Sequence, residues 1–86
     1  MNQEESVHPF LAVHRLQGAR VHALLKSQKI LHLHIAPVEH EDDFIAFPLL
    51  SIDLSASLKN DISAITNRPV QLILRTPHVM ETVDPH

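Results

Sequence analysis

A chain of 86 residues with no cysteine must hold itself together by packing one apolar core or by associating, because disulfides and thiolate-bound metals are closed to it. It is too short to divide its interior between two cores. With 44% hydrophobic and 20% charged residues it carries enough apolar surface to offset the entropy of ordering. A single folded domain over residues 8–77 is therefore expected, between a polar leader over 1–7 and a loose tail over 78–86.

Seven basic against ten acidic residues leave a formal charge of -3, which offers no long-range attraction to a phosphate backbone. The chain also lacks Trp and Tyr, and its three phenylalanines, Phe10, Phe44 and Phe47, fall at expected core positions. Stacking on single-stranded nucleic acid is disfavoured on those grounds, and nucleic acid is not the expected partner; weak nucleic-acid binding through basic residues that folding gathers on one face is a third reading. No stretch approaches the roughly 20 apolar residues of a membrane span. The start, MNQEESVHPF, is acidic where a secretory signal would be basic and then apolar. The expectation is a cytoplasmic protein without membrane contact.

The first amphipathic segment is read over residues 9–27. Pro9 suits a first helical position, and a 100° step gathers Phe10, Val13, Val21, Leu24 and Leu25 into one stripe. Leu16, Ala19 and Ala23, with Arg20 beside them, form a second strip wider than one core contact requires, and so a candidate partner-binding surface. Gly18 either permits close packing or marks a break between two shorter helices.

KILHLHIA, residues 29–36, alternates Leu31, Leu33 and Ile35 against Ile30, His32 and His34, the pattern of a half-buried strand. The charged VEHEDD after it reads as a solvated loop. Residues 44–47 suit a second strand, which Pro48 borders. Asp53 or Ser55 can cap a helix running to about Thr66, with Asn67 placed for a left-handed turn. VQLILR, residues 70–75, alternates again and closes the fold as a strand. The expected architecture is a two-layer α+β domain of order α-β-β-α-β, a three-stranded sheet with both helices on one face.

Chemistry is sparse in this sequence. One glycine supplies neither a phosphate-cradling loop nor a dinucleotide fingerprint, and the serines near the second helix have no strained turn beside them. No catalysis and no cofactor are expected. The eight histidines are the compositional oddity. His32 and His34 would share a strand face, with His40 following in the acidic loop, which makes a nitrogen and oxygen metal site one reading. A pH-responsive cluster is another, because imidazole titrates in the physiological range.

The segment SLKNDISAITNRPVQLIL, an amphipathic helix, a turn with proline and alternating aliphatics, resembles the last helix and closing strand of the K-homology-like protein-interaction domains of bacterial replication proteins. These include the initiator's N-terminal domain and the clamp-loader tau subunit's C-terminal domain. The resemblance covers about a fifth of the chain, and the chain lacks the tryptophan such domains often carry. It implies an adaptor that recruits another protein and no catalysis. Elimination and leftover apolar surface lead to the same expectation: a non-enzymatic protein-binding domain, a small adaptor, chaperone-like or regulatory subunit. An open sheet edge in so small a domain further predicts a homodimer.

Overall fold

A computed structural model describes residues 7–77. The leader and tail expected outside the domain lie, apart from Val7, beyond those residues. Strand β1, His8–His14, is followed by a 3-10 turn over Arg15–Gln17 and helix α1 over Gly18–Ser27. Strands β2 (Val38–His40) and β3 (Phe44–Pro48) form a hairpin, and α2 (Ala56–Thr66) leads into β4 (Gln71–Arg75). The sheet is antiparallel throughout in the order β2-β3-β1-β4, with Leu11 opposite Phe47 on one side and Leu72 on the other. That order and sense is the split β-α-β, ferredoxin-like arrangement, which many unrelated functions share.

The domain is thus α+β with two helices, but its sheet has four strands where three were expected. The long first helix is corrected: its N-terminal third is the central strand. Phe10, Leu11, Ala12 and Val13 are all buried, because β1 is covered on both faces, and a run without alternation carries no strand period. Gly18 sits at the break between the 3-10 turn and α1. The strand expected over 29–36 is a loop that touches the sheet through isolated bridge residues, among them Leu31 opposite Leu49. The expected charged loop instead holds β2, whose pattern of half-buried Val38, exposed Glu39 and half-buried His40 is that of a short polar edge strand.

Both helices lie on one face of the sheet. Val21 and Leu25 of α1, one turn apart, meet Leu58 and Ile62 of α2 over Leu11, Val13, Phe47 and Leu49. The opposite face carries a smaller core of Phe10, Ile35 and Ala46, with Val38 of β2 and Ile73 of β4 packed against it. Among the described residues no helix covers that face, yet Phe10 is fully buried. The sheet itself provides part of the cover. Laid flat, its outer strands would stand about 14 Å apart, three inter-strand spacings. The Arg75 guanidinium on β4 nevertheless approaches the Glu39 carbonyl of β2 at 3.5 Å, so the sheet is strongly curled. Ile35, from the loop after α1, packs into the same core.

Local chemistry places the helix ends. The Ser55 hydroxyl accepts the Leu58 N–H at 3.1 Å as the cap of α2, and Asn67 closes that helix at φ 59°. Helix α1 ends in a Schellman motif: the Ile30 N–H donates to the Leu25 carbonyl and the Lys29 N–H to Lys26, each at 3.1 Å. Lys29 occupies the left-handed position of that motif at φ 59°, which costs a residue with a Cβ about 1–2 kcal/mol. Lys29→Gly should therefore raise stability, by about 0.5–1 kcal/mol once the freer unfolded chain is subtracted. A higher urea midpoint with an unchanged slope is the expected reading; a lower midpoint would mean that the lysine side chain contributes more than its backbone costs.

Candidate functional site

Three features stand out once the fold is set: an imidazole cluster, a lined cavity and an open strand edge. The cluster is built from β1 and the loop after α1. The His8 and His32 ring centroids lie 5.3 Å apart, and those of His32 and His34 lie 6.1 Å apart, both edge to face. His8 Nε2 donates to the Leu49 carbonyl at 2.6 Å, which places the proton on that nitrogen. His32 Nδ1 accepts the His34 N–H at 3.2 Å, so neutral His32 carries its proton on Nε2.

The His32 pKa lies below 6.5, first because burial penalises the charged ring, then because His8 and His34 face it. The unfolded chain, with an ordinary histidine, therefore binds the proton more readily than the folded one. Stability should be complete above pH 6.5 and fall as the pH drops through 6.5 toward the folded pKa. Urea unfolding across that window should show the decline, and His32→Gln should flatten it; an equal slope in the variant would assign the decline to other groups.

Of the sequence-based metal ligands, His32 and His34 are neighbours, but His40 is not with them. It pairs across the hairpin with Phe44, and its Nε2 lies 3.8 Å from the Glu41 carboxylate. Among the described residues, no group of three or more His, Asp or Glu side chains is arranged to hold a metal ion. The sequence reading missed His8 as the third member of the cluster, since the fold alone joins residues that far apart in the chain.

The expected partner strip is exposed. Leu16, on the 3-10 turn, is 84% accessible, and Ala19, Arg20 and Ala23 occupy one outward face of α1.

Comparison with protein-family models, with curated proteins and with solved structures returns no match. Among the described residues no helix is long and apolar enough to cross a membrane.

The cavity, of about 320 Å³, lies where β1 outruns β4. Pairing of the two strands stops at Ala12 and Gln71, so Val13 and His14 continue with β3 alone as neighbour. The residues between α2 and β4, with Thr66, Arg68, Pro69 and Val70, form the other wall. No signal in the sequence marked this site.

The two sheet edges differ. Strand β2 is three residues long, follows Pro37 and runs into the acidic turn of Glu41, Asp42 and Asp43, all devices that discourage pairing. Strand β4 is five residues long, QLILR, with no proline inside it, and its Leu74 is 58% accessible. Among the described residues, the backbone groups on its outer side have no partner strand in the sheet.

Proposed function

We propose that the chain is a non-enzymatic protein-binding domain whose contact surface is the outer edge of β4, paired first with a second copy of itself. The observation that carries the reading is that open edge: a five-residue strand with an exposed leucine in it, in a sheet whose other edge is guarded. Unpaired backbone N–H and C=O groups in a row form a template for another strand. Antiparallel pairing of β4 with β4 of a second copy is self-complementary, as a two-fold interface requires. The exposed strip of Leu16, Ala19, Arg20 and Ala23 on the turn and α1 remains for a different protein. The resemblance of α2 and β4 to the K-homology-like domains makes a replication-type assembly one candidate for it.

Sedimentation velocity at about 100 µM tests the pairing, a concentration well above the dissociation constant of a weak but specific dimer. The dimer mass is expected, and the monomer mass alone at that concentration would count against the reading.

A second reading, a pH-responsive module, draws on the imidazole cluster. The loop carrying His32 and His34 also delivers Ile35 to the Phe10 core, so charging the cluster would strain the cover of the curled face. The pH series on His32→Gln given above decides it.

A further inference from the structure

We infer that the cavity beyond the end of β4 binds small carboxylates that carry a compact aliphatic tail. Its volume of about 320 Å³ falls at the lower end of the range for ligand pockets. The walls are of two kinds. Leu11, Val13 and Ile62, together with Val70, give it an apolar floor continuous with the main core. Arg68, His14 and Gln71 give it polar groups.

The polar groups are biased toward donors. Arg68 offers only N–H groups, and among the described residues no carboxylate lies within ion-pair distance of it. Its guanidinium carbon sits 5.4 Å from the Phe44 ring centroid, a cation–π contact that holds the charge at the cavity wall. His14 accepts the Leu16 N–H at Nδ1, 3.1 Å away, so the neutral ring carries its proton on Nε2 and has one donor to offer. Gln71 adds an amide that can donate or accept, and Thr66 directs its hydroxyl proton at the Ile62 and Arg68 carbonyls, 3.0 and 3.2 Å away. No Asp or Glu is among the lining residues. An apolar floor beneath the fixed positive charge of Arg68, with the His14 N–H beside it, complements an anion with a hydrocarbon tail and disfavours cations. A carboxylate suits the planar arginine fork.

The test is an amide-resolved NMR titration of the whole chain with three probes: hexanoate, hexanol and inorganic phosphate. Hexanoate should shift the amides of Thr66, Arg68, Val70 and Gln71 saturably, with a Kd near about 1 mM, the weak affinity normal for so small a ligand. Hexanol has the tail without the charge and phosphate the charge without the tail, so each should bind at least about tenfold more weakly. Arg68→Gln, a change at an exposed residue, should weaken hexanoate about tenfold while the remaining spectrum stays unchanged. Val70→Phe, which fills the cavity, should abolish the shifts. The inference is overturned by the absence of saturable shifts up to about 10 mM, by hexanol or phosphate matching hexanoate, or by Arg68→Gln binding as the parent does. None of these outcomes bears on pairing through β4.

Discussion

Replacing Phe10 with alanine is expected to destabilise the domain by about 3–5 kcal/mol, the range for deleting a buried phenyl ring. Phe10 is fully buried, and it is the large side chain of a core that no helix among the described residues covers. Its neighbours come from four places: Ile35 from the loop after α1, Ala46 from β3, Val38 from β2 and Ile73 from β4. A cavity there would loosen the curl that brings the outer strands together. A domain of this size has only about 5–10 kcal/mol in total, so the variant should be marginal. Urea unfolding reads the loss directly, with Leu16→Ala as the control at an exposed site, expected within about 0.5 kcal/mol of the parent. A loss below about 1 kcal/mol for Phe10→Ala would mean that the uncovered face is not a core at all.

Leu74→Lys is expected to separate the dimer while leaving the fold intact. Leu74 is mostly exposed in the single subunit, so its loss removes little from the core. In a two-fold pairing of β4 with itself, however, the substitution enters twice, and two ammonium groups would face a desolvated interface near Arg75 of each copy. A charge on an edge strand is a known way to prevent such pairing. The dimer should weaken at least about a hundredfold, or about 2.7 kcal/mol. Sedimentation should then find monomer where the parent is dimeric, with the urea midpoint at low concentration unchanged. Should the variant remain dimeric, the interface lies elsewhere, and the strip of Leu16, Ala19 and Ala23 becomes the surface to mutate.

What the sequence disclosed and what it concealed divide along physical lines. Helix α2 was legible because its signals are local: Ser55 caps it, Asn67 closes it, and Leu58 and Ile62 lie one turn apart on its buried side. Strands β3 and β4 were legible for a similar reason, as short alternating or apolar runs bounded by proline. The central strand was not. A strand covered on both faces has no period, and Pro9 ahead of an apolar run has the appearance of a helix start. The alternation of KILHLHIA misled in the opposite sense. Lys29 in the left-handed region turns the chain out of α1, and of the three expected inward residues only Leu31 and Ile35 are buried, while Leu33 is exposed. Strand β2 was hidden by its own edge chemistry, since the charges that protect an edge also look like a loop.

The candidate sites followed the same rule. His32 and His34 were found together because they are neighbours in sequence, whereas His8 joined them only through the pairing of β1 with β3 and the loop lying against it. The cavity depends on β1 being longer than β4, a fact of register that no single segment carries. The open edge was expected in kind, but which strand would bear it depended on the full order of the sheet.

The pairing of β4 with β4 can be read residue by residue, because the chain has no cysteine of its own. Single substitutions from Gln71→Cys through Arg75→Cys, oxidised under native conditions, each report whether that position meets its own copy within the 4.4–6.8 Å Cα separation a disulfide needs. A two-fold antiparallel pair brings one residue of the strand opposite itself, at about 4.5–5.5 Å. The account predicts efficient cross-linking centred on one position, near Ile73, that falls away on either side, with Ala19→Cys on α1 remaining without a cross-link. Cross-linking no better along β4 than at Ala19→Cys would contradict it.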